Sequence, residues 1–236
     1  MTTALTTDQE HERHRNLIDA EARALALLDA IEAGGLIAPG RTERAVAQDV
    51  LRLAAERFGV EKHWHKGIVR AGANTLAVAA DNPSPRVIDE DDIVFLDLGP
   101  VFEEWEADVG RSYAVGPDPY KHALVRELSI QFEKVKGYFM DRADITGAEL
   151  YAFACRSAED AGWQFGGKIA GHLIGEFPHA SWPGVKHHGH IRPENPTRMR
   201  DPDAIGRERH WILEIHLVSP DGAFGGFYER LLVGKA

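Results

Sequence analysis

A carboxylate set inside an apolar strand constrains a fold strongly, because it is costly to bury unless something cationic compensates it. This chain places one in the run Ile93–Leu98 (IVFLDL), where Asp97 interrupts a strand-like sequence. The chain then turns through Gly99-Pro100 and returns from Trp105 to Tyr113, carrying Asp108. A hairpin with its tip at Phe102-Glu103 would make Asp97 and Asp108 cross-strand neighbours, with Cβ atoms about 4.5–5.5 Å apart. Like charges directly opposite each other are destabilising, so the arrangement calls for a third party. A hard divalent cation is the simplest one. The competing reading is one buried Asp at a turn and one exposed Asp.

The same theme recurs downstream. Gly171-His172-Leu173-Ile174-Gly175 is followed by His179. Trp211–Ile215 is a strand-like run interrupted by Glu214, and Phe227–Val233 is another that carries Glu229. In this order (Asp, Asp, His, Glu, Glu) the set resembles peptidase family M24, the metallopeptidases that include methionine aminopeptidase, aminopeptidase P, prolidase and creatinase. The resemblance runs from residue 15 to residue 235.

That resemblance implies an α+β class and the pita-bread fold, with pseudo-two-fold αβ halves around a curved antiparallel sheet. Residues 1–236 are expected to form a single pita-bread catalytic domain, frayed over 1–9 and without the N-terminal domain of creatinase-type members. Two divalent metal ions are implied, manganese, cobalt, iron or zinc. Asp97 would chelate the first, Asp108 and Glu229 would bridge both, and His172 and Glu214 would complete the second. Two such ions, about 3.5–4 Å apart, activate a water and polarise a carbonyl. Glu214 would also serve as general base, and His179 would contact the substrate and the developing charge. Gly171-His172 and Gly175 match the family's Gly-His-x-x-Gly pattern.

The other histidines carry less. His63 and His65 share strand parity and are expected to be a packed or solvated pair. His187, His188 and His190 are expected to be loop residues. The chain also departs from the family pattern. No histidine stands in Leu76–Asp81, where one is usual after the Ala-Gly-x-Asn-Thr segment. The family's Glu-Pro-Gly is Glu214-Ile215-His216 here, and the Thr that commonly follows the second Asp is Gly110. These departures bear on substrate choice more than on metal binding.

Composition excludes some alternatives. A formal charge of −10 argues against a nucleic-acid partner, which would favour a basic face. No run approaches the 18 or more apolar residues of a membrane span, and the N-terminus lacks the apolar core of a signal peptide. The single cysteine, Cys155, excludes an internal disulfide and fits a reducing, cytoplasmic location. The expected partner is a small peptide or amide substrate, with neither nucleic acid nor membrane. A homodimer stays open.

Helical periodicity is expected over His11–Ala33, Glu43–Phe58 with Thr42 as cap, His122–Phe139, and from a Thr146 cap to Ala161. Thr42 and Thr146 thus occupy matching places in two helix–helix units, which suggests an internal duplication. His63–Arg70 reads as a strand and Asn82–Pro85 as a loop. Residues 180–208 lack periodicity and are expected to wall or cover the site. The leading functional reading is a metal-dependent hydrolase of a peptide or amide, Xaa-Pro aminopeptidase or dipeptidase-like. The alternatives are a creatinase-like hydrolase of a non-peptide small molecule and a non-catalytic binding module.

Overall fold

A computed structural model describes residues 5–78, 81–181 and 188–233. The chain opens with two helices, α1 (Thr7–Ala33) and α2 (Glu43–Phe58), followed by the short strands β1 (Lys62–His63) and β2 (Ile68–Ala71). A 3₁₀ turn over Gly72–Leu76 leads on to β3 (Asp92–Leu98), β4 (Pro100–Phe102), β5 (Trp105–Glu106) and β6 (Val109–Val115). The second half repeats the order, with α3 (Pro119–Met140), α4 (Gly147–Asp160), β7 (Gln164–Phe165), β8 (Gly171–Ile174), β9 (His210–Val218) and β10 (Gly225–Leu231).

The helix boundaries follow from caps. Thr6 closes a capping box with Gln9, so α1 starts at Thr7. It therefore begins earlier than the expected His11, and residues 7–9 are helical rather than frayed. Asp118 caps α3, with a proline in its first turn, and moves that start from His122 to Pro119. Thr42 and Thr146 cap α2 and α4 as expected, and Gly59 ends α2 in the left-handed conformation at φ 66°. The expected strand His63–Arg70 is broken: β1 and β2 are separate strands in different sheets.

All the strand pairings among the described residues are antiparallel. The main sheet runs β2-β3-β6-β10-β9-β7, with β8 also pairing β9. A small sheet, β1-β4-β5, stands beside it. The hairpin register differs from the expected one. Phe102 pairs with Trp105, which puts the tip at Glu103-Glu104, and Asp97 pairs with Gly110, not Asp108. The slip is two residues. Side chains alternate faces with period two, so Asp108 keeps the face that the expected register gave it. After Leu98 the ladder breaks and the outer arm peels away to pair with β1, leaving Asp108 at the corner.

The two halves each have a hydrophobic core. Leu27, Leu28 and Ile31 of α1 and Val46 and Val50 of α2 pack with Leu96 and Leu98 in one. Leu124, Leu128 and Phe132 of α3 and Leu150 of α4 pack with Leu213 and Ile215 in the other. The duplication shows in the backbone. The Glu43 N–H donates to the Arg86 carbonyl at 2.9 Å and the Ile88 N–H to Arg41 at 2.8 Å. The matching bonds in the second half are Gly147 N–H to Thr197 at 3.3 Å and Met199 N–H to Ile145 at 2.9 Å. The halves meet at β6 and β10, where the ladder has one paired position, Glu229 with Gly110. Side chains complete that seam. Ser112 Oγ accepts the Phe227 N–H and donates to its carbonyl, and Arg230 donates to the Gly110 carbonyl. No helix among the described residues is long and apolar enough to cross a membrane.

Candidate metal centre

Strand register lines up the acids. Asp97 pairs with Gly110, Gly110 with Glu229, and Glu229 with Glu214, so one transverse row crosses four strands. Residues paired in this way share a face. His172 pairs with Ile212, two residues before Glu214, and so lies on that face too. The alternate residues face the helices: Leu213 and Ile215, on either side of Glu214, are fully buried in the second core. Gly110 leaves a gap in the row. A Cβ there would sit 2.6 Å from the Phe227 ring, so the missing side chain is what admits that ring.

The five acid and imidazole side chains lie together on this face. His172 Nε2 lies 3.0 Å from Asp108 Oδ2, 3.7 Å from Glu214 Oε1 and 3.8 Å from Glu229 Oε1. His65 joins them, with Nε2 3.4 Å from Asp97 Oδ1 and 3.2 Å from Asp108 Oδ1. Asp108 is therefore flanked by two imidazoles, and Glu229 and Glu214 face each other directly across β10 and β9. Glu229 Oε2 is buried without a hydrogen-bond partner.

The electrostatics show what such crowding costs. Burial pushes Asp97 up to about 7, with the Asp108 charge adding to it against the pull of His65. Burial likewise pushes Glu214 up to about 8 and Glu229 well above the usual carboxylate range, with help from the neighbouring acids. Burial would raise Asp108 as well, but hydrogen bonds from His172 and His65 outweigh it and hold Asp108 below the usual range. Burial disfavours the charged forms of His65 and His172. Asp108 and the other acids outweigh that, raising them to about 10 and about 9. Protons thus supply the positive charge the acids require.

A divalent ion would supply that charge directly. The donor set fits one: the atoms of His65, Asp97 and Asp108, and those of Asp108, His172 and Glu229, lie close enough to share an ion within each group. A third such group, Glu10, Glu208 and His210, is already compensated. There Arg13 bonds Glu10 at 2.5 Å and Glu176 at 2.8 Å.

His179 stands apart from the acids. Its ring stacks parallel to His172 at 5.9 Å, and its Nδ1 is bonded to Glu106, which also accepts the His179 backbone N–H at 3.1 Å. Trp64 presents its ring to His65, His172 and His179 at centroid distances of 4.4, 5.2 and 5.0 Å. The sequence reading missed three of these residues. His65 was expected to be packed or solvated with His63, yet it reaches the acids while His63 stays in β1. Trp64 and Glu106 carried no expectation. An acid two residues before Asp108 in a strand-like segment was the available signal for Glu106. His190 forms an isolated bridge with His172, and its Nδ1 is buried without a partner. His188 Nδ1 lies 2.9 Å from Thr197 Oγ1, at the surface. His187 lies outside the described residues, as does part of the segment expected to wall the site.

The family model described as Metallopeptidase family M24 matches residues 13–208. The chain belongs to metallopeptidase family M24. An Xaa-Pro dipeptidase from Pyrococcus horikoshii is 29% identical over 161 residues, 68% of this M24 chain and 44% of the relative. The chain thus spans less than half the length of that relative. A prolidase structure from Thermococcus sibiricus superposes with a TM-score of 0.69 at 20% identity, covering 99% of this chain and 61% of that one. A methionine aminopeptidase structure from Thermotoga maritima gives 0.64 at 20% identity, covering 100% of both chains. These neighbours establish the pita-bread fold of this M24 member.

Proposed function

We propose that the protein is a dinuclear metal-dependent hydrolase of short peptides, Xaa-Pro dipeptidase or aminopeptidase-like. The observation that carries the reading is the row Asp97–Gly110–Glu229–Glu214, with Asp108 and His172 on its face and Glu229 Oε2 buried and unpartnered. Five buried or half-buried ionisable groups held together at such cost are hard to explain in a mere scaffold. Membership of family M24 and the likeness to an Xaa-Pro dipeptidase support a peptide substrate.

On this reading Asp97, Asp108 and Glu229 would hold one ion, and Asp108, His172, Glu214 and Glu229 the other. Manganese, cobalt, iron or zinc would serve, and when bound they lower the pKa of water and polarise the scissile carbonyl. Glu214 takes the proton of the attacking water and delivers it towards the leaving amine. His179, its Nδ1 tied to Glu106, presents the imidazole edge to the substrate and to charge developing on the carbonyl oxygen. Trp64 walls the site, with its ring against the imidazoles of His65, His172 and His179. A single unpaired cysteine fits a reducing, cytoplasmic setting.

The test combines metal analysis with a peptide panel. The purified protein should bind up to two divalent ions per chain, and Asp108→Ala should lose at least one, because that carboxylate faces both. With manganese added, dipeptides and tripeptides with proline at the second position should be cleaved faster than matched peptides without it. Unchanged metal content in Asp108→Ala would sink the centre. Turnover of amidine or guanidine small molecules in place of any peptide would move the protein to a creatinase-like activity.

A further inference from the structure

We propose that His65 is a further protein ligand of the centre, giving the Asp97 side an imidazole to match His172 on the Glu214 side. The inference rests on the dinuclear reading above, but it concerns one added donor and can fail while that reading stands.

Three observations carry it. The first is distance. His65 Nε2 is 3.4 Å from Asp97 Oδ1 and 3.2 Å from Asp108 Oδ1. Donors that share an ion at about 2.0–2.2 Å sit about 3–3.5 Å apart from one another. The second is wiring. His65 Nδ1 lies 3.0 Å from the carbonyl of Lys66, the next residue, and His172 Nδ1 lies 2.7 Å from the carbonyl of Leu173, the next residue again. Each carbonyl accepts the Nδ1–H, which fixes the ring and leaves Nε2 facing Asp108, where an ion would replace its proton. A ligating histidine is commonly oriented by such a bond to its other nitrogen. Both rings aim Nε2 at Asp108, one at each carboxylate oxygen. The third is space. A Cβ on Gly99 would collide with the His65 ring and come 2.6 Å from Trp64 Nε1. The imidazole therefore fills a cradle that only glycine leaves open, with the Trp64 ring edge-on to it at 4.4 Å.

The consequence is chemical. The five carboxylate and imidazole ligands implied by the family put nitrogen on one ion only. With His65 included, both positions carry one nitrogen among oxygens, and the Asp97 position moves from an all-oxygen shell towards cobalt, zinc or iron.

The test is made on the cobalt(II)-loaded full chain, without any substrate. A cobalt-bound imidazole shows its Nδ1–H as a strongly shifted, solvent-exchangeable proton resonance. The parent should show two. His65→Ala and His172→Ala should each lose one, and Gly99→Ala should lose the one that His65→Ala loses. In cobalt titrations, His65→Ala should weaken one of two binding steps by about tenfold or more, with the other unchanged. A single shifted resonance in the parent, lost only in His172→Ala, overturns the proposal and leaves the five-residue centre intact. A parent with a single shifted resonance overturns the proposal even if a variant fails to fold. A parent that binds no cobalt overturns both readings.

Discussion

At the scale of single residues, the role proposed for His179 depends on a neighbour that fixes its ring. Glu106, buried in β5, holds both the backbone N–H and the Nδ1 of His179. Glu106→Gln keeps the shape but removes the charge, and should reduce kcat by about tenfold or more with metal content unchanged. His179→Ala should go further, by up to about 10²–10³-fold, the scale of losing one oxyanion donor. Glu214→Gln should retain at least one ion and lose about 10²–10⁴-fold, as expected for a positioned base. Metal analysis and kcat on the peptide found by the panel check all three. Parent-rate turnover by Glu214→Gln would place the base elsewhere. The acids were legible in the sequence because carboxylates inside apolar strands announce their cost. His65 was not. Its role depends on the chain folding back after β1 over the end of β3, and on the missing Cβ of Gly99, neither of which is local to His65.

At the scale of elements, strand register does the work, and β8 is its most sensitive part. Gly171 sits at φ 139°, and a Cβ there would collide with the Ile212 carbonyl across the ladder. Gly171→Ala should therefore displace β8 and with it His172. Denaturant melts should show a loss of about 1–3 kcal/mol, the cost of a strained backbone residue. Titration should show weaker binding of the ion that His172 faces. Equal affinity with reduced stability would mean that β8 relaxes without moving its histidine. The sequence revealed the helices well, because caps and apolar periodicity are local signals. It misplaced the hairpin tip, because the break after Leu98 lets the outer arm join β1, a partner distant in the chain. The error was an even number of residues and so left the side chains of β3 and β6 on the faces expected of them.

At the scale of the whole molecule, the buried acids tie stability to pH and, on the proposed reading, to metal. In the metal-free protein Asp97 and Glu214 titrate near 7 and 8, against 3.8 and 4.5 for the free groups. Raised folded values favour folding below the unfolded pKa, and that contribution is lost as pH rises through 7 and 8. His65 and His172, raised to about 10 and 9 from 6.5, act in the same direction and lose theirs higher still. Asp108, held low, contributes above 3.8 and is constant over this window. The Tm of chelated protein should therefore fall between pH 6 and pH 9.5. The metal-loaded protein should melt higher, with a flatter profile, since its acids are already ionised. Parallel melting curves with and without chelator, from a preparation shown to start metal-loaded, would count against the assignment. The seam between the halves adds a geometric side to this. Between β6 and β10 the backbone supplies one paired position, and a serine hydroxyl and an arginine supply the rest. Ions held by Asp97 and Asp108 on one side and by Glu214 on the other would then act as a gauge between the lobes. The spacing of the halves at the centre would follow the ionic radius, and the choice of metal would become a choice of how far apart they stand.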